Sequence, residues 1–195
     1  MKKKGTSIDD DLLPLWDKLK RLHYQLRNHT KSKYNRVNPF IEDLFEWEEK
    51  GRYFGCKKTR IYDSATVMGN VRLGDGCWVG PFVMLDGTGG LTVGDNVDFS
   101  TGVKVFSHDT VRRALSGGMH PTEFAPVSIG SNCFIGTDAV ILKGSKLGDR
   151  CVVAANSLVN GRFPANSIVA GVPAKRIGSV VVKGKDVHLK YAGGK

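Results

Sequence analysis

The residues of this chain that could do chemistry are two histidines, two carboxylates and four thiols. His108 and Asp109 are adjacent, and His120 lies twelve residues further on in the same irregular segment. A neutral imidazole can take a proton from an attacking hydroxyl or amine near neutral pH. A neighbouring carboxylate such as Asp109 could orient that ring, although adjacent residues often point apart. His120 reads as substrate-facing or structural rather than catalytic. Asp86 sits in a second irregular segment, Asp86-Gly-Thr-Gly-Gly-Leu-Thr. A histidine at a turn is by itself an ordinary surface residue, so the weight of His108 depends on the elements that position it.

Those elements follow a six-residue grid. Fourteen large apolar residues fall on it: Ile61, Val67, Leu73, Val79 and Leu85; Val93, Phe99 and Val105; and Ile129, Ile135, Ile141, Leu147, Val153 and Val159. Four residues after most anchors comes a small or modest side chain, among them Ala65, Cys77, Val83, Cys133, Ala139, Cys151 and Ser157. A short fixed period of one large and one small inward residue describes a coil that stacks on itself. Six residues make one strand and one tight turn, and three such units close a triangular coil of eighteen. Gly69-Asn70, Asp95-Asn96, Ser131-Asn132 and Thr137-Asp138 supply residue types that tolerate left-handed backbone at the corners. The thiols of Cys77, Cys133 and Cys151 fall in the small inward slot and read as small hydrophobes. Cys56 lies outside the repeat and has no assigned place, and no C-x-x-C pair supports a zinc ribbon.

The grid breaks twice. Two extra residues lie between Leu85 and Val93, and twenty-four residues separate Val105 from Ile129. Residues 110–126 are expected to form a loop extruded from the coil, and in a regular solenoid such excursions are where function concentrates. Before the coil, Leu12, Trp16, Leu19, Leu22 and Leu26 recur at helical spacing, which predicts an amphipathic helix from about Asp9 to Asn28. Residues 29–37 read as a polar loop. A second helix is expected from Asn38 as N-cap and Pro39 in the first turn to Gly51 at the C-terminal cap. The expected organisation is a tail and helical cap over residues 1–58, with residues 1–8 as a mobile tail, then the coil over 59–178 and a basic tail over 179–195. The helical pair is read as a cover for the open first coil, with membrane-surface or partner docking as the other reading.

The chain has 195 residues and a net charge of +10. No apolar run approaches the ~20 residues of a membrane span, and the start lacks the apolar stretch of a secretory signal. A cytoplasmic protein is the expectation. Much of the positive excess sits outside the repeat, and no nucleic-acid motif or interleaving of aromatic with basic residues accompanies it. Small polyanions suit such a surface equally.

The repeat resembles the hexapeptide-repeat acyltransferases over roughly residues 61–178, and most closely their sugar O-acetyltransferases. The resemblance implies an all-β solenoid, a left-handed parallel β-helix, assembled as a homotrimer. It implies acetyl transfer from acetyl-CoA to a hydroxyl or amino group of a sugar or nucleotide-linked sugar, as in cell-surface polysaccharide synthesis. The string Val105-Phe-Ser-His-Asp-Thr followed by Leu-Ser-Gly-Gly is similar to the segment that carries the family's general base, which assigns that role to His108. A carboxylate near the sugar hydroxyl in related enzymes maps to Asp86. The closing segment Pro164-Ala-Asn-Ser-Ile-Val-Ala-Gly-Val-Pro-Ala-Lys-Arg-Ile is also similar. By that match Gly136, Thr137, Ala155 and Asn160 line the pantetheine groove, and Lys175 and Arg176 meet the nucleotide phosphates. Gly178 stands where some relatives carry another basic residue, and Ala154-Ala155-Asn156 where Gly-Ala-Gly is common, so Lys143 or Lys146 would share the phosphate contact unless they are simply a solvated face.

Two rivals use the same scaffold. A γ-type carbonic anhydrase needs three convergent histidines on a metal, and only His108 and His120 lie in or near the coil; the resemblance implies no metal. A non-catalytic scaffold protein needs none of the retained histidine, loop and closing segment. Within acyl transfer, an N-acetyltransferase of an amino nucleotide sugar remains the alternative.

Overall fold

The computed structural model describes residues 10–44 and 46–192. The N-terminal tail expected over residues 1–8 lies outside the described residues, as does Phe45 of the expected second helix. Contacts divide the chain into a unit ending at Glu46 and a unit beginning at Trp47.

In the first unit, α1 (Leu13–Tyr34) runs six residues past its expected end and takes in most of the expected polar loop. It closes on Asn35 in the left-handed conformation, whose backbone N–H donates to the Lys31 carbonyl at 3.0 Å. Here α2 (Phe40–Leu44) packs against it. The His23 and Phe40 rings lie 4.8 Å apart, and the Thr30 hydroxyl donates to Asp43 at 3.0 Å. The side-chain amide of Asn38, the expected cap, donates to the same carboxylate.

The expected second helix is two pieces, because α3 (Trp47–Arg52) belongs with the coil. Trp47 stacks on Tyr62 and meets Trp78 edge-on, and Lys50 donates to the carbonyls of Tyr62, Asp63 and Ala65 in the first turn. Gly51 lies so close to the Thr59 carbonyl that a Cβ there would sit 2.1 Å from its oxygen.

From Arg60 the chain is a parallel β-helix with three faces. Parallel pairing stacks Ile61, Val79, Phe99, Ile135, Val153 and Val169 on the first face. Val67, Leu85, Val105, Ile141 and Val159 stack on the second. Val71, Leu91, Val127 and then Ile129, Leu147 and Phe163 follow on the third. Twelve of the fourteen grid anchors are buried; Val67 and Leu73, in the first coil with no coil beneath them, are partly so. At the expected corners Asn96, Asn132 and Asp138 have positive φ, between 53° and 60°, and Gly69 takes that role before Asn70; Asn156, at φ 57°, is a further such corner. All four cysteines are free and buried. Cys56, which had no assigned place, donates its thiol toward the Leu73 carbonyl of the first coil. A hydrogen bond shared with Cys151, and then burial, push the Cys133 thiol up, so it stays a neutral packing group.

Each buried aliphatic side chain contributes about 1.5–3 kcal/mol, and the stack has no slack. Ile135→Val, in the centre of the first face, should cost about 0.5–1.5 kcal/mol in a denaturant melt with an unchanged slope.

Every departure from the six-residue step falls at one corner, between the second and third faces. The steps from first to second face and from third to first are six throughout, as in 79 to 85 and 93 to 99, or 153 to 159 and 163 to 169. From second to third face they are eight (85 to 93), twenty-four (105 to 129), six (141 to 147) and four (159 to 163). The last shortening was not in the expected grid, and it packs the partly buried Phe163 against the core.

Past the coil, residues 174–191 are not a loose tail. Ala174–Lys183 turns back antiparallel to Asp186–Tyr191 through Gly184 at φ 59°, extending the first face.

Candidate functional site

The uneven corner gathers the reactive side chains because successive coils place their corner residues above one another. Asp86 leaves the second coil there, His108 the third, Lys143 the fourth and Asn160 the fifth.

Asp86 is 3% exposed. One of its oxygens, Oδ1, accepts from the Thr88 backbone N–H at 2.8 Å and from the Thr88 hydroxyl, which closes the two-residue insertion into a tight turn. The other, Oδ2, lies 3.0 Å from Nδ1 of His108. That approach is off the ring N–H direction, so it is a close contact rather than an aligned hydrogen bond; such bonds in free enzymes often tighten only with substrate in place. Nδ1 is buried while the side chain is 30% exposed, so the outer edge of the ring, with Nε2, is the part open to solvent. Asp86, the carboxylate that the resemblance places near the sugar hydroxyl, is thus buried against the imidazole in this chain.

Ser107 fastens the exit of the excursion. It is fully buried, its hydroxyl donates to the Asp86 carbonyl at 2.8 Å and accepts from Gly89 N–H at 2.7 Å, and its carbonyl accepts from Ala125 N–H at 2.9 Å. Gly89 has to be glycine, since a Cβ would sit 2.2 Å from the Ser107 carbonyl oxygen. The excursion then begins as a two-residue antiparallel pair, His108–Asp109 against Glu123–Phe124, and carries the one-and-a-half-turn helix α4 (Val111–Leu115). The Phe124 ring lies 6.1 Å from the His108 ring.

Asp109 does not orient the imidazole. Its Oδ2 is 3.1 Å from Lys143 Nζ, and Oδ1 accepts from Val111 N–H. Lys143 also donates to Glu123, whose other oxygen is 3.2 Å from Arg112 Nε. The hydrogen bond from Lys143 holds the carboxyls of Asp109 and Glu123 below their usual range, and those two partners push the Lys143 ammonium up. Lys143 is thus engaged within the site and is not a spare phosphate contact; Lys146 is exposed on the third face. His120 turns to its own loop, with Nδ1 2.9 Å from the Pro121 carbonyl and its backbone N–H on the Ser116 hydroxyl.

The residues implied for the donor fall in three places. Gly136, Thr137 and Ala155 stack at the corner between first and second faces, where a Cβ on Gly136 would lie 2.6 Å from the Ala155 nitrogen. Asn160 is on the other corner, in line with His108 and Lys143. Lys175 and Arg176 are exposed on the strand that leaves the coil, where Arg176 Nε donates to the Gly178 carbonyl. A hollow of about 330 Å³ lies beside Arg176, lined also by Ser179, Lys190 and Tyr191. Among the described residues no three His, Cys, Asp or Glu side chains converge as a metal-holding group, and no helix is long and apolar enough to cross a membrane.

The contacts of Asp86 with His108 and of Lys143 with Asp109 and Glu123 went unread in the sequence because they are between coils. The signal was present, since residues one coil apart share a corner.

The hexapeptide repeat of succinyl-transferase matches residues 126–160. The 2,3,4,5-tetrahydropyridine-2,6-dicarboxylate N-acetyltransferase of Clostridium perfringens is 46% identical over 72 residues, which are 37% of this chain and 30% of that one. The chain thus spans under a third of the length of that curated relative. The galactoside O-acetyltransferase of Escherichia coli is 27% identical over 179 residues, covering 88% of this chain and 82% of that protein. The hexapeptide-repeat-containing acetyltransferase of Vibrio cholerae, solved in complex with acetyl coenzyme A, superposes with a TM-score of 0.56 at 22% identity over 91% of this chain and 93% of its own. With fourteen anchors in register and three stacked faces, the chain has the parallel β-helix fold and carries, over residues 126–160, a match to the hexapeptide repeat.

Proposed function

We propose that this protein transfers an acetyl group from acetyl-CoA to a hydroxyl of a sugar or nucleotide-linked sugar, with His108 as the general base. The observation that carries this reading is the His108–Asp86 pair: a partly exposed imidazole with its inner nitrogen against a buried carboxylate, at the mouth of the one large excursion. Asp86 favours the tautomer with the proton on Nδ1, which leaves Nε2 as the acceptor. As the hydroxyl oxygen bonds to the thioester carbonyl carbon, its proton passes to Nε2. The tetrahedral intermediate then collapses, the C–S bond breaks, and the imidazolium returns the proton to the departing thiolate. No enzyme nucleophile is required, consistent with the buried, neutral packing role of Cys133.

A relative that aligns over most of its length with this chain is an O-acetyltransferase, which favours oxygen over nitrogen as the attacking atom. Gly136, Thr137, Ala155 and Asn160 are assigned to the pantetheine arm, and Lys175 and Arg176 to the phosphates. The split of these residues over two corners and a terminal strand suits a donor bound against more than one chain, which supports the homotrimer. Cytoplasmic placement goes with the supply of acetyl-CoA.

The donor site is tested by thermal unfolding against acetyl-CoA. At about 100 times its dissociation constant the ligand should add ~2.7 kcal/mol of stability and raise the midpoint saturably. An unmoved midpoint at millimolar acetyl-CoA removes the donor and with it the acyl-transfer reading.

A further inference from the structure

We propose that Lys143 is a positioning residue for His108: it clasps the two strands of the excursion at their base and so sets how the imidazole meets Asp86 and the acceptor. Its kinetic consequence rests on the acyl-transfer reading; its structural one does not.

The register makes the argument. Asp109 on the outgoing strand stands directly opposite Glu123 on the returning one, and the adjacent pair is His108 opposite Phe124. Two carboxylates facing each other across a ladder repel. Both are kept ionised here, and Lys143 reaches from the next coil to bond both at once. The cation converts a repulsion that would spread the strands into an attraction that closes them.

Arg112 of α4 also reaches Glu123, at 3.2 Å, but only Lys143 joins the two carboxylates to the neighbouring coil. A two-stranded ladder is marginal on its own, and this one is two residues long on each side. Beyond it, α4 is exposed, and Gly117 and Gly118 both have positive φ with open space around them. Ser107 and Ala125 fasten the excursion on the side toward Asp86, and the Ala125 carbonyl takes the Gly144 N–H, one residue beyond Lys143. Lys143 fastens the far side. His108 lies between these two fixed points, with the Phe124 ring beside it, so loosening the clasp frees both the ring and its neighbour. A displacement of about 1 Å in a reacting group can cost roughly 100-fold in rate.

The test compares Lys143→Met, which keeps the chain length and removes the charge, with Lys143→Arg. The first readout is the ring signal of His108 in protein carrying ¹³C-labelled histidine, assigned by its loss in His108→Gln. Lys143→Met should shift or broaden that signal, and Lys143→Arg should restore it. The second readout is thiol release from acetyl-CoA with methyl β-galactoside as acceptor. Lys143→Met should lower kcat by about 10- to 100-fold with the KM for acetyl-CoA within about two-fold. Glu123→Gln, which removes one arm of the clasp, should move both readouts in the same direction by less. A His108 signal and a kcat unchanged in Lys143→Met overturn the proposal. If the wild-type protein acetylates no acceptor, the acyl-transfer reading falls, and the ring signal alone decides the clasp: displaced in Lys143→Met it stands, unmoved it fails.

Discussion

His108→Ala should lower turnover by about 100-fold or more while acetyl-CoA still raises the melting midpoint as it does in the wild type. A positioned general base contributes typically 10²- to 10⁴-fold, and 100-fold corresponds to about 2.7 kcal/mol of transition-state stabilisation. The fold should tolerate the change. The ring is partly exposed and anchors no part of the stacked core, and its removal lets water reach Oδ2 of Asp86, which would otherwise be left buried beside a void. Loss of turnover together with loss of the acetyl-CoA shift would mean a disturbed donor site and not a missing base. Near-normal turnover, with any acceptor, discards His108 as the base.

Asp86→Asn should reduce kcat by roughly 100- to 10,000-fold, on the tautomer logic of the serine-protease triad. The substitution is nearly isosteric, and the amide oxygen can still accept from the Thr88 N–H that shapes the turn. Its NH2 group then faces Nδ1 of His108. Two donors cannot share that contact, so Nδ1 becomes the acceptor, the proton moves to Nε2, and the ring has no lone pair left toward the acceptor hydroxyl. The variant should therefore melt close to the wild type, bind acetyl-CoA, and show the Nε2-protonated tautomer by nitrogen chemical shift. A normal tautomer and a normal kcat would make Asp86 only the residue that closes the turn.

The coil was legible in the sequence because its chemistry repeats. A fourteen-fold register of large residues leaves few ways to bury them, and twelve of those side chains are in the core. Cys77, Cys133 and Cys151 occupy the small slots expected of them. The irregular segments were legible as the functional ones, but the partners within them were not. Asp109 was the natural partner for His108 along the chain, yet backbone alternation sends the two side chains apart. The residue that meets His108 is Asp86, because in a β-helix the nearest neighbour is one coil away: Asp86 lies beside Phe106 in the ladder. The C-terminal hairpin was missed for a different reason. Its lysines read as a basic tail, while the alternation of Val180 and Val182 against Val187 and Leu189, two paired rungs of one ladder, passed unnoticed. The second helix broke because Trp47 packs with Tyr62 and Trp78 of the first coils, a long-range contact that no local cap encodes.

The uneven corner has a consequence for how such a protein can change. Two of its three edges are crystalline in their spacing: adding or deleting a residue there would turn every later anchor out of the core. The third edge already carries an addition of two residues, one of eighteen and a deletion of two without losing register on the faces beyond it. Segment lengths along that edge are decoupled from the stability of the coil, so new acceptor-facing loops can be exchanged there one at a time. The scaffold divides itself into a part that inheritance has to copy faithfully and a seam along which it can experiment.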